Sequence, residues 1–341
     1  MDALIEFARQ AYWKALTIFQ LPLSADERLY WPFLLVFFLP VLWRARRDNP
    51  WRGLASGDGG YWARVFPRAL WLHPSSRLDL AICAINTVIT PARWALALGS
   101  TTTVALWVST GLASVMPSAW HLPWNGYTGA LYTVLALLAA DFGIYLTHRA
   151  FHEVRWLWPL HALHHSAEVL TPLTHYRQHP LYMLVSAVVR GLLVGSLQGF
   201  FYGLTLGRAE ASTLLGVNVL YMLLFMPLAN FRHSQFWIDF GPRWSRWLIS
   251  PAMHQVHHSR RAEHWDKNYG EMLAIWDRLL GTLYLPAPDE HYELGLSNRE
   301  DMPGHTLVQA YLRPLRRMRQ ALHAPAPGAV PDSAATRSTQ A

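Results

Sequence analysis

Five long runs with almost no charge limit what this chain can fold into. Leu29 to Trp43, Trp94 to Met116, Thr128 to Thr147, Leu181 to Leu204 and Ala211 to Ala229 hold only two charged residues, Asp141 and Arg190. In hydrocarbon every backbone N–H and C=O must find its partner within the protein, which admits helices or closed barrels only. Run lengths near the roughly 20 residues that carry a helix across a core about 30 Å thick select helices. The expected fold is therefore all-α, a multi-pass helical membrane bundle. Charged residues make up only 15% of the 341 positions, below the roughly 25% of soluble domains. Asp141 and Arg190 are expected to face inward, because a charge exposed to lipid is costly. Leu80 to Thr90 precedes Pro91 and Arg93, and reads as a separate packed or interfacial helix.

Positive charge beside the runs sets the orientation. Arg44, Arg46, Arg47 and Arg52 follow the first run, whereas Pro117 to Tyr127 carries no charged residue. With five crossings this places the amino terminus outside and the histidine clusters described below at the cytoplasmic face. The apolar run begins late and lacks a small-residue cleavage site, so no signal peptide is expected. Residues 1–75 read as a transmembrane helix and an interfacial cytosolic segment. Residues 76–285 read as the membrane domain, 286–323 as a C-terminal extension and 324–341 as a disordered tail. The wetter composition from Phe231 to Leu285 suits a cytosolic helical cap over the helix ends.

Histidine is the second constraint. His148 and His152, then His161, His164 and His165, and later His254, His257 and His258 recur at spacings of three and four, which put side chains on one helix face. With His179 and His233 they make ten of the chain's 17 histidines. Imidazole suits iron, zinc, copper and nickel, and ten nitrogens are enough for two ions with open positions. The single cysteine, Cys83, excludes a disulfide framework and any iron–sulfur site made by this chain alone. No Glu-x-x-His pair is present, so the centre would be nearly all histidine. Each imidazole then needs an acceptor for its other ring N–H. Asp141, seven residues before His148, is a candidate, as are Asp266 and Asn268, with Glu271 and Asp277 as further ones. The remaining histidines read as structural, with His175 and His264 nearest the motifs.

The pattern H-x-x-x-H, H-x-x-H-H and a distant H-x-x-H-H resembles the fatty acid hydroxylase superfamily, or sterol desaturase family, of membrane di-iron oxygenases. Similar too are the aspartate before the first histidine, THYRQHP around Arg177 and His179, NFRHS around His233, and NYG and WDRLLGT after the last cluster. The resemblance spans about Ser76 to Leu285. Members often carry an acidic residue just after the HP of the middle phrase, where this chain has Leu181 and Tyr182. The resemblance implies two iron ions held by the ten histidines, with O2 as co-substrate. It implies hydroxylation or desaturation at an unactivated C–H bond of a sterol, fatty acyl or ether lipid.

Electrons must come from a separate cytoplasmic donor, because the chain has neither a haem-domain H-P-G-G phrase nor a G-x-G-x-x-G fingerprint. The competing readings are a haem-binding membrane electron carrier and a non-catalytic lipid-binding protein on the same scaffold. A zinc peptidase is poorly supported, since HEVRW lacks the second histidine of H-E-x-x-H. The excess of 29 basic over 22 acidic residues serves topology and anionic membrane lipids, not nucleic acid, because no basic run interleaves with aromatics. Arginine-heavy, lysine-poor usage points to a bacterial plasma membrane.

Overall fold

The computed structural model describes residues 16–54, 60–117, 120–214, 217–288, 290, 292–298 and 306–323. The expected tail, 324–341, lies outside the described residues. Three helices are long and apolar enough to cross a membrane: α2 (Pro74–Val115), α3 (Gly126–Glu153) and α5 (Pro180–Leu204). Leu98, Trp107 and Leu131 are exposed on them, as lipid-facing side chains are. Shorter helices include α1 (Trp31–Arg44), α4 (Trp158–His165), α6 (Met226–Arg232), α7 (Pro251–His257) and α8 (Leu307–His323).

The expected helix organisation is corrected at three places, two of which lower the count of five crossings to three among the described residues. Helix α1 has 14 residues, about 21 Å at 1.5 Å per residue, and its buried Phe37 and Val41 pack against Phe231 in a shared core. The run Ala211 to Ala229 is no single helix. Thr213–Leu214 pairs with Val217–Asn218 as a two-stranded hairpin, β1 and β2, followed by a π-turn over Tyr221–Phe225. Asn218 breaks the run: its Oδ1 accepts from Leu220 and Tyr221 N–H, and its Nδ2 donates to the Thr133 carbonyl at 3.0 Å.

Leu80 to Thr90 is not a separate helix either, because α2 continues through Pro91 for 42 residues. Packing outweighs the proline penalty of about 3 kcal/mol. At one end Asn86 Nδ2 donates to the carbonyls of Tyr176 and Gln178 at 3.0 and 2.8 Å. Beyond Pro91 the helix lies against α5, which runs parallel to it.

That contact rests on a glycine every four residues of α5. A Cβ on Gly191 would meet Ser100 and Ala97, one on Gly195 Thr101, one on Gly199 Ala105 and Val108, and one on Gly203 Leu112. Small residues at this spacing let two helix backbones approach closely in lipid, where dispersion and not the hydrophobic effect holds helices together. Arg190 directly precedes Gly191 and packs on Gly143 of α3. Both charges inside the apolar runs therefore face protein, Asp141 fully buried and Arg190 half-buried.

Helices α2 and α5 begin, and α3 ends, at the same end of the bundle. There α4, α7 and the loops of residues 233–285 form the cap. Helix α8 lies beside α4, and its Tyr311 hydroxyl donates to Asn86 Oδ1 at 3.2 Å.

Candidate metal centre

Every histidine of the three motifs reaches this cap. The last two turns of α3 present His148 and His152. Helix α4 starts at Trp158-Pro159 and carries His161, His164 and His165 on one face. Ser250 caps α7 by accepting from Met253 N–H at 3.2 Å, with Pro251 at the first helical position. His254 and His257 lie in α7 and His258 at its end.

Two groups result. His148, His152, His161, His165 and His257 form one, and His164, His233, His254 and His258 the other, with the candidate ligand atoms of each group within 4.8 Å of one another. The groups adjoin, His165 stacking on His258 with centroids 4.5 Å apart. Neighbouring Nε2 atoms are 2.9 to 3.3 Å apart in both. Nitrogens held about 2.1 Å from one ion at tetrahedral or octahedral angles have this edge length.

The tautomers sharpen the point. His148 Nδ1 donates to the Tyr269 carbonyl and His257 Nδ1 to the Lys267 carbonyl, each at 2.7 Å. Both Nε2 atoms therefore carry bare lone pairs, yet they face each other at 3.0 Å. Two lone pairs that close repel, and a shared cation removes the repulsion. Burial, with the neighbouring histidines, holds the imidazoles neutral: His164 is pushed down to about 3 and His257 to about 4. Burial likewise holds His161, His165, His233, His254 and His258 well below the usual histidine range. Neutral imidazole is the form that ligates.

His179 joins neither group. It caps α5, its Nδ1 accepting from Leu181 N–H at 3.2 Å and its Nε2 donating to the Tyr311 carbonyl at 3.1 Å. No lone pair is left for a metal, so nine of the ten expected ligands converge.

The acceptors that orient the imidazoles are main-chain carbonyls where carboxylates were expected. Asp141 touches no histidine. It accepts from Met272 and Leu273 N–H, both at 3.2 Å, and from Trp276 Nε1 at 2.9 Å, which ties the loop after Tyr269 to α3. Asp266 accepts from the Tyr269 hydroxyl at 2.9 Å and stays 3.9 Å from His152 Nδ1. The side chain of Asn268 accepts from Tyr284 N–H at 2.8 Å and donates to its carbonyl at 2.9 Å. Asp266 and Asn268 both have left-handed backbone, φ 55° and 57°, and so turn the Lys267 carbonyl between them toward His257.

Asp277 and Arg177 act through the main chain and not by bonding a ring with their side chains. Asp277, pushed up to about 6 by burial, accepts from Tyr269 and Gly270 N–H at 2.8 Å and from Thr282 Oγ1 at 2.6 Å. Arg177 binds Asp79 at 2.9 Å, the Leu163 carbonyl at 2.9 Å and Ser166 Oγ at 2.7 Å, while its own carbonyl accepts from His164 Nδ1 at 3.3 Å. The buried Asp79–Arg177 pair thus braces the end of α4. The Nδ1 atoms of His161, His233, His254 and His258 are buried without a partner among the described residues. On the cap side a cavity of about 290 Å³, lined by His152, His165, His257, Trp158 and Trp265, reaches the five-histidine group.

Gly270 gives a direct test of the carbonyl supports. A Cβ there would lie 2.6 Å from the Leu273 carbonyl oxygen and 2.8 Å from Asp277 Oδ2, so Gly270→Ala must shift the turn that aims the Tyr269 carbonyl. Metal affinity of the five-histidine group, read by chelator competition, is expected to fall about 10- to 100-fold.

The fatty acid hydroxylase family model matches residues 133–282, which include all nine converging histidines and the Asp141 and Asp277 supports. Residues 133–282 form a fatty acid hydroxylase domain. Human alkylglycerol monooxygenase is 30% identical over 234 residues, 66% of this chain and 45% of that protein. Ornithine lipid hydroxylase of Rhizobium tropici is 30% identical over 183 residues, 50% of this chain and 47% of its own length. Delta(7)-sterol 5(6)-desaturase of Candida dubliniensis is 31% identical over 161 residues, 46% of this chain and 35% of its own. The chain thus spans less than half the length of these relatives. No solved structure matches it.

Proposed function

We propose that the chain is a membrane-bound di-iron oxygenase that hydroxylates or desaturates an unactivated C–H position of a lipid, using O2 and electrons from a separate cytoplasmic donor. One observation carries the metal: bare Nε2 lone pairs of His148 and His257 face each other at 3.0 Å within a ring of five imidazoles. An all-imidazole set suits several transition metals. The relatives' names, monooxygenase, hydroxylase and desaturase, support an oxidative reaction on a lipid substrate, and the resemblance to the membrane di-iron oxygenases selects iron. Two irons bound here would supply the activation of O2.

The protein's own part is binding, orientation and exclusion of water. Nine imidazoles would hold the ions, and the carbonyls of Tyr269, Lys267 and Arg177 fix three of the rings. The cap buries the histidines, which limits quenching by water. The site end is also the arginine-rich end, with Arg44, Arg46, Arg47 and Arg155 close to it in sequence or space, so it faces the cytoplasm by the positive-inside rule. A bacterial plasma membrane is the proposed location.

The haem reading is disfavoured by geometry. Axial haem ligands stand on opposite faces of a macrocycle, and nitrogens this close leave no room for one. Protein purified anaerobically with iron is expected to hold two irons per chain, one for each group. Less than one tightly bound metal per chain would refute the assignment. Lipid mass spectrometry of cells with and without the protein then identifies the substrate.

A further inference from the structure

Toward the membrane from the histidines, four arginines approach one another from four elements. Arg28 precedes α1, Arg93 lies in α2, Arg190 in α5 and Arg232 at the end of α6. Arg190 is within electrostatic reach of Arg93 and Arg28, and Arg232 within reach of Arg28 and Asp141. Gly143, on which Arg190 packs, is five residues before His148 in α3, about 7.5 Å further into the bundle.

The four arginines outnumber the three carboxylates within their electrostatic reach, Glu27, Asp141 and Glu271. Arg28 pairs with Glu271. Glu27 accepts from the Tyr176 hydroxyl at 2.9 Å, and Asp141 is occupied by three N–H donors. None of Arg93, Arg190 and Arg232 has an ion-pair partner among the described residues. Arg190 has only a 3.4 Å contact to the Ser186 carbonyl. Arg232 is 4% exposed, and its Nη1 is buried with no partner.

A guanidinium buried without a counter-charge is costly, and within a membrane domain such a group marks a functional site. Snorkelling to the interface cannot explain Arg232, which does not reach solvent. Arg93, Arg190, His175 and Tyr221 around it are half-buried, so the cluster is open to a ligand. The cluster also borders the metal groups. His175 lies 5.5 Å from His233, and Tyr182, at the start of α5, lies 4.7 Å from His161, ring centroid to centroid.

We propose that Arg190 and Arg232, with Arg28 and Arg93 around them, receive an anionic group, a carboxylate or phosphate, on the lipid that the metal centre oxidises. The planar fork of arginine matches both oxyanions. This rests on the oxygenase reading and narrows its substrate class to lipids with an anionic polar end. An anion held at the arginines would fix which carbons of the attached chain come near the histidines.

The test uses the full chain in a neutral detergent and measures retention of oleic acid against oleyl alcohol, and of dioleoyl phosphatidate against dioleoylglycerol. Wild type is expected to hold each anionic lipid about tenfold tighter than its neutral counterpart. Arg190→Gln and Arg232→Gln are each expected to bring that ratio near one. Arg190→Lys should keep part of it, and Arg46→Gln, on the exposed surface, should leave it unchanged. Equal retention of anionic and neutral lipids by wild type overturns the inference whether or not any variant folds. A preference that survives both Gln substitutions also overturns it. Millimolar inorganic phosphate is expected not to displace oleate; displacement would assign the arginines to free phosphate and overturn the lipid assignment.

Iron content measured on the same samples separates the two claims. Two irons per chain with no anionic preference removes this inference alone. An anionic preference in protein that cannot be loaded with iron removes the oxygenase reading.

Discussion

His257→Ala is expected to lower iron from two per chain to one and to cut lipid turnover at least a hundredfold, while the protein still inserts in the membrane. His257 is the keystone of the five-histidine group. Its Nδ1 is fixed by the Lys267 carbonyl and its Nε2 faces that of His148, so truncation removes a ligand already in position. Loss of a supporting group alone costs about 10- to 100-fold in affinity or activity, and a ligand should cost more. The insertion signal lies in α2, α3 and α5 and is untouched. His179→Ala is the matched contrast. Both nitrogens of His179 are engaged by Leu181 and Tyr311, so this variant should keep two irons and lose only cap stability, about 0.5–2 kcal/mol. Metal analysis and turnover on the two variants, with membrane fractionation as control, check the assignment. Full iron content in His257→Ala, or loss of iron in His179→Ala, would contradict it.

The contrast shows what spacing can and cannot reveal. Eight histidines were legible because three- and four-residue intervals on short helices bring imidazoles together whatever the details of the loops. His233 was legible only through its NFRHS phrase, and the fold brings it to His164 and His254 at 3.2 and 2.9 Å. His179 sits in an equally suggestive phrase. However, a polar residue directly before Pro180 is also what a helix start requires, and capping is its role. The acceptors could not be read at all. A backbone carbonyl has no residue identity, so the parts played by Tyr269, Lys267 and Arg177 depend on loop conformations set elsewhere by Asp141, Asn268 and Asp277. Asp141 was found by its spacing from His148, but its contacts are with the loop. In the same way hydropathy located three spanning helices and overcounted by two, because side-chain bonds from Asn218 and the short core-packed α1 do not alter an apolar average.

Replacing Gly195 and Gly199 together by alanine is expected to destabilise the bundle by about 1–3 kcal/mol per site. The meaning of the four-residue interval of Gly191, Gly195, Gly199 and Gly203 depends on the facing helix, which sequence alone does not supply. The alanine Cβ atoms would lie 2.5 Å from the carbonyl oxygens of Thr101 and Ala105. These are backbone atoms that cannot rotate away, so α2 and α5 must part along the contact. Parting them costs dispersion over the whole seam, and in lipid no hydrophobic effect restores it. Gly111→Ala is the control, since nothing lies within 4 Å of a Cβ there and alanine is the better helix former. Thermal unfolding in detergent should show a clear fall in Tm for the double variant and none for the control; equal Tm values would mean that the seam is looser than the backbone contacts imply. The start of α2 holds Asp79, which pairs with Arg177 beneath α4, and α5 holds Tyr182 against His161. A parted seam should therefore also weaken iron binding in protein that remains folded. Metal loss that precedes unfolding as temperature rises would place the glycine seam among the supports of the centre.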